Sequence, residues 1–292
     1  MREPTDVSAQ VPVARMLNAV AASLMLLAVP VSAQTSRLST VPPVADIRQG
    51  DALVGLGLSY GLEQSFPLSG LRGDLLVLGR MSASYALADH ALLELDMETV
   101  RVLWIDEAGP ASVPPTDAEV GGSTAGFGDL RLGLTFAPFT LGSDISFGGW
   151  FAVELPNSDQ RSGIGTNTTN ILLGPVVSIP GDRLTVTSRL GVGILESPLV
   201  SFTQDDVFVY SLDALIRAGD GLRFVLSVDG RTNPRRTVSL GLEDVGLVRA
   251  GMELGRGHWR LDAGIARGYA QRSPNWRASV GLSRVTRAAQ SH

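Results

Sequence analysis

Residues 54–62 read VGLGLSYGL, with Val54, Leu56, Leu58, Tyr60 and Leu62 on one side of an extended chain and Gly55, Gly57, Ser59 and Gly61 on the other. The same period of two returns along the chain from Ala52 onward, and helical periodicity is nearly absent. Leu75, Val77, Met81, Ala83 and Tyr85 oppose Arg80, Ser82 and Ser84; Leu93, Leu95, Met97 and Leu103 oppose Glu94, Asp96 and Glu98. Alternating segments continue at 126–136, 145–155, 170–179, 184–194, 207–217, 222–228, 245–254, 259–267 and 276–283. That makes twelve segments, each near the length at which a tilted strand crosses a bilayer.

Connections alternate in length. Short ones fall at 86–90, 138–143, 180–183, 218–221 and 255–257, and long ones at 63–73, 105–125, 156–169, 196–206, 229–244 and 268–275. A transmembrane barrel has this asymmetry, because its turns at one end are tight and its loops at the other are long. A soluble sandwich has no reason to gather its long loops at one end. The predicted fold is all-β: a transmembrane antiparallel up-and-down β-barrel of about twelve strands.

Composition fits. In 292 residues, 44% are hydrophobic and 18% charged, too apolar for a disordered chain. Yet no window holds the roughly 18 to 20 successive apolar residues that a spanning helix needs. Alternation removes the conflict, since only half of each strand faces lipid. The chain has no Cys, which excludes a disulfide framework, a thiolate metal site, a cysteine nucleophile and a lipidated N-terminal Cys. It also has no Lys, so all 24 basic residues are Arg. A net charge of −5 argues against a nucleic-acid partner.

Ala19–Val29 (AVAASLMLLAV) is an apolar core preceded by Arg2 and Arg15 and followed by Val31-Ser32-Ala33. This reads as a signal peptide over residues 1–33, directing export to the outer membrane of a Gram-negative cell with the barrel insertion machinery and outer-membrane lipid as partners. Residues 34–50, with Pro42-Pro43, are expected to form a periplasmic linker or plug, 51–285 the barrel and 286–292 a polar tail. Tyr60, Tyr85, Trp104, Trp259, Tyr269 and Trp276 sit at or near strand ends, where amphipathic rings meet lipid headgroups.

In a barrel the polar face lines the lumen, because a charge facing lipid at the midplane costs about 2–4 kcal/mol. Parity places Glu94, Asp96, Glu98, Asp129, Glu154, Asp213, Glu253 and Asp262 inside. It also places Arg80, Arg131, Arg189, Arg217, Arg223, Arg249, Arg260 and Arg277 inside, together with Trp150, the aromatic that departs from the strand-end pattern. The signs nearly balance, so paired networks bracing the wall are expected rather than a strongly ion-selective pore. The Glu94-Asp96-Glu98 ladder is expected to meet arginines from a neighbouring strand, or else to attract cations.

Enzyme chemistry finds no support. His90, His258 and His292 share no metal-ligand spacing, and neither His90 nor His258 opens the H-x-S pairing of outer-membrane lipid hydrolases. The glycine-rich GGSTAGFG at 121–128 lacks a GK[ST] and a following helix, so it does not read as a phosphate loop. No catalytic residue, cofactor or metal is expected.

The segment GFGDLRLGLTF at 126–136, followed after one hairpin by ELPNSDQRSGIGTNTTNILLGPVV at 154–177, resembles the outer-membrane family named for the meta-pathway of phenol degradation. The resemblance covers roughly 50 residues closely. It implies an outer-membrane, transporter-like barrel, in some members linked to aromatic catabolism, and it supplies no catalytic residues. One departure stands out: such barrels usually end on an aromatic residue, whereas this chain ends VGLSRVTRAAQSH, so either a polar tail follows the last strand or the last strand does not end near Ser283. The function expected is passage or binding of a small hydrophobic or aromatic solute. The alternatives are a non-transporting outer-membrane scaffold or adhesin barrel, and a soluble periplasmic β-rich binding protein.

Overall fold

The computed structural model describes residues 48–287 apart from 117, 143, 144, 201 and 202. The signal-peptide reading of 1–33, most of the 34–50 linker and the tail from 288 onward lie outside the described residues. The strands are β1 (Ala52–Phe66), β2 (Leu71–Ala88), β3 (Ala91–Ala108), β4 (Ser123–Gly126), β5 (Leu130–Leu141), β6 (Ile145–Leu155) and β7 (Asn170–Ile179). They continue with β8 (Leu184–Glu196), β9 (Gln204–Gly219), β10 (Leu222–Thr232), β11 (Val245–Arg256), β12 (Trp259–Gly268) and β13 (Trp276–Thr286).

All neighbours are antiparallel, and β1 pairs with β2 on one side and with β13 on the other, from Ala52↔Thr286 to Leu62↔Trp276. First and last strands therefore close the wall. Both β4 and β5 pair with β3 in one continuous register, Arg101↔Gly126 above and Met97↔Leu130 below. They are two halves of one wall strand interrupted at 127–129, so the structure is a closed twelve-strand barrel. Its last strand runs to Thr286, without a terminal aromatic.

Most of the predicted long loops gather at one end, but 63–73 is a correction. There β1 continues to Phe66 and β2 starts at Leu71, joined by the turn 67–70. Both strands rise past the bilayer, where polar side chains such as Gln64 and Asp74 replace the apolar alternation that marks a strand in lipid.

Outward side chains form an apolar band. Leu56, Leu78, Leu93, Leu134, Phe151, Leu173, Val192, Leu212, Phe224, Val248 and Ile265 are all exposed. A continuous surface of that kind is incompatible with water, and a soluble binding protein would have buried these leucines. On β13, Trp276 belongs to the loop end and Arg284 pairs with Trp259 at the turn end. Eight steps of about 3.4 Å, tilted by about 40°, span roughly 21 Å, close to the apolar height of an outer-membrane barrel. Aromatics flank the band. Near the loop end, Tyr60 donates to Asp74 Oδ2 at 2.6 Å and its ring lies 6.1 Å from Trp104.

A second correction concerns which residues face in. Simple alternation sets Leu75, Val77 and Leu103 on the lipid side, but they are buried inside at 3%, 1% and 0% exposure. Gly79 is the cause. It takes φ +66, a left-handed conformation glycine adopts without strain, and it is an extra residue opposite β1, where Gly57 pairs with Arg80 but Leu58 with Leu78. Below this bulge even residues of β2 face the lumen; above it odd ones do. Thr99 takes up the slip on β3, donating its hydroxyl to the Gly79 carbonyl at 2.8 Å.

Candidate functional site

The interior is layered. Two apolar clusters line the loop half of the lumen: Phe66, Leu71, Leu75, Leu103, Ile105 and Ile164 pack in one, while Leu172, Leu195, Val207, Val209 and Leu242 belong to the other. The middle of the lumen is charged. On β2 and β3 these layers follow from the parity switch, which on β2 turns leucines inward above Gly79 and arginine and serine inward below it; on β7 to β9 a single parity carries apolar residues near the loops and polar ones below.

The charged belt is built from pairs. Arg80 meets Asp96 of the adjacent strand at 3.2 Å, Arg101 meets Glu98 at 3.5 Å, Arg131 meets Glu154 at 3.8 Å and Arg249 meets Asp229 at 2.7 Å. Nearer the short turns, Glu253 is shared by Arg223 and Arg260. Asp213 is buried on the lumen face of β9, and Asp262 lies on the inward parity of β12 beside Glu253. Asp129 accepts from the Ser158 N–H at 3.1 Å, and Arg277 faces the central cavity.

Glu94 does something different from its ladder neighbours. Arg189 reaches it from β8 at 3.3 Å, and Thr135 Oγ1 on β5 donates to it at 2.9 Å. Since β3 and β8 are separated by β5, β6 and β7 in the wall, this is a strut across the lumen. Trp150 stands beside it at 5% exposure, its indole N–H donating to the Leu190 carbonyl at 3.1 Å. The ring lies against the backbone at Gly191, where a Cβ would come within 3.0 Å of Trp150 Cζ2. Arg217 faces the turn end rather than the lumen centre and binds the Gly181 carbonyl at 2.7 Å.

Three arginines outside the parity set complete the site. Arg101 is displaced from simple alternation by the Thr99 slip. Arg231 lies beyond the apolar part of β10, and Arg272 lies in the β12–β13 loop. Gln64 Nε2 donates to the Arg272 carbonyl at 2.5 Å. Burial, followed by the neighbouring Arg231 guanidinium, pushes Arg272 down to about 10. Tyr269, in the same loop, shares a 2.7 Å hydrogen bond with Tyr210, and burial together with that bond raises its pKa.

Two adjoining cavities occupy the loop half of the lumen. One of about 350 Å³ is bordered by Arg80, Asp96, Glu98, Arg272 and Arg277. The other, of about 240 Å³, is bordered by Leu172, Val209, Leu242, Arg231 and Arg272. Both include Asp129, Arg131, Glu154, Asp229 and Val245, so they are parts of one chamber near the lower end of the ligand-pocket range. Loops cover it from outside. Ser69 Oγ donates to the Gly163 carbonyl at 2.6 Å, and Gln160 Nε2 donates to the Pro198 carbonyl at 3.2 Å, tying three connections together. Among the described residues no group of three or more His, Cys, Asp or Glu could hold a metal ion.

A closed twelve-strand wall with an apolar exterior and a chambered interior is the architecture of an outer-membrane β-barrel. It is similar in fold to an outer membrane channel from Pseudomonas putida F1, at TM-score 0.60 and 15% identity, covering 87% of this chain and 100% of that one. More distant likenesses include the CymD monoaromatic hydrocarbon channel (TM-score 0.42, 13% identity, 86% and 92% of the two chains) and the NanC porin (0.47, 9%, 80% and 100%). No family model matches the chain, and no curated protein matches it.

Proposed function

We propose that this protein is an outer-membrane channel for passage of a small hydrophobic or aromatic solute, of the kind the meta-pathway resemblance implies. The carrying observation is the lumen: two apolar clusters at the loop end flank a chamber of ligand size, inside a wall whose outer face fits a bilayer. An apolar vestibule lets such a solute leave water before it meets the charged belt. The similarity in fold to the Pseudomonas putida channel supports this reading. Export through a signal peptide at 1–33 belongs to the same proposal.

The loop contacts over the mouth favour one second reading, a plugged scaffold. Planar-bilayer recording and liposome uptake distinguish the two. A channel gives conductance steps and admits small aromatics faster than sugars of similar mass; a protein silent in both assays, with its loops intact and after their removal, is a scaffold.

A further inference from the structure

Arg231 and Arg272 do not share the pairing of the rest of the belt. Both point at one neutral acceptor, the Gly241 carbonyl on the β10–β11 loop, Arg231 Nη2 from 3.5 Å and Arg272 Nη1 at closer range. Arg231 Nε is buried and has no hydrogen-bond partner. Arg277 borders the same chamber with no ion pair among the described residues.

The neighbouring carboxylates are already engaged. Glu243 accepts from the Gly241 N–H with both oxygens, at 3.0 and 2.9 Å, and Asp129 accepts from Ser158. Glu154, Glu98 and Asp229 are held by Arg131, Arg101 and Arg249. Two partly buried cations sharing a neutral oxygen is a poor use of charge, because a guanidinium bound to a carboxylate forms two parallel charge-assisted bonds, each roughly twice as strong.

Gly241 is also the point where the loops meet. It holds φ +90, and a Cβ there would come within 2.7 Å of Pro198 Cγ and 3.1 Å of Leu68 Cδ1. The peptide held by the two arginines is thus wedged between the β8–β9 loop and the β1–β2 turn. Beneath it one part of the chamber wall is apolar, formed by Leu172, Val209, Leu242 and Val245, beside the Arg131–Glu154 pair, Asp129 and Asp229.

We propose that Arg231 and Arg272 form a carboxylate-binding site for a small solute with an apolar body, whose carboxylate displaces the Gly241 carbonyl and thereby releases the β10–β11 loop from the mouth. This rests on the passage reading and names its solute class: an apolar monocarboxylate rather than a neutral hydrocarbon. The apolar body lies against Leu172 and Val209, and Arg277 offers the next cation along the path.

The test uses the folded full barrel with benzoate and its neutral counterpart benzamide. Calorimetric titration is expected to give benzoate at least about tenfold tighter than benzamide, a difference of about 1.4 kcal/mol. Arg231→Gln with Arg272→Gln is expected to abolish that preference, heat-modifiable gel mobility certifying that the variant is folded. Benzoate is also expected to raise open probability in planar bilayers, and Gly241→Ala to raise it without ligand. Equal affinity of the native barrel for both probes overturns the site, and this comparison needs no variant; retained preference in the folded double variant overturns it too. Either result leaves passage of neutral aromatics standing. Benzoate binding without any conductance or uptake would instead keep the site and remove the passage reading.

Discussion

Single residues set the two irregularities on which the interior depends. At Gly79 an added Cβ would approach Thr99 Oγ1 to 2.2 Å, and its φ of +66 is strained for any other residue. Gly79→Val is expected to lower folding free energy in lipid by about 2–3 kcal/mol, read from the urea midpoint of reversible unfolding. Trp150→Ala removes the ring that fills the space beside the Glu94–Arg189 strut. It should cost about 3–5 kcal/mol in the same assay; a change below about 1 kcal/mol would mean that the ring does not brace the wall. The Gly79 signal was present in the sequence, as a glycine inside an alternating segment. What alternation alone lacked was the direction of the slip, which depends on which partner strand lacks the matching residue.

At the scale of the strand, the bulge makes a claim about faces that simple alternation reverses. Leu75 and Leu78 are both leucines in β2, yet Leu75 is buried in the lumen and Leu78 is 42% exposed on the outer wall. The chain has no cysteine, so single-cysteine variants report one position each. A fluorophore on Leu78→Cys should be quenched strongly by brominated lipid tails and one on Leu75→Cys weakly; quenching of both to the same extent would contradict the parity switch. The charged pairs act at this scale too. Removing Arg249 alone strands Asp229 in the lumen and is expected to cost about 3–5 kcal/mol, whereas exchanging both residues for apolar ones of similar volume should be near neutral. Strand existence was legible because lipid and lumen impose opposite chemistry on successive residues. The first loop was not, because above the bilayer that contrast disappears and β1 and β2 continue as polar strands.

Over the whole molecule the barrel is a wall that closes on itself and a mouth that its own loops cover. Shortening the β10–β11 loop by removing residues 234–242 takes away the Gly241 contact with Leu68, Pro198, Arg231 and Arg272. It should raise single-channel conductance severalfold while leaving heat-modifiable mobility unchanged. An unaltered conductance would show that this loop does not limit passage. The amino-acid sequence by itself determined the strand number, the alternating connection lengths, the lipid-facing residues away from the bulge and the charged middle of the lumen, because those follow from local periodicity and the solvent on each side. Only the tertiary structure decided which charges pair across the lumen, as Glu94 does with Arg189, and which remain on neutral acceptors, as Arg231 and Arg272 do. Pairing depends on the angular position of each strand around the closed wall and on loops folding inward. Neither is encoded in the period of two; both arise when β1 meets β13 and the loops find one another above the chamber.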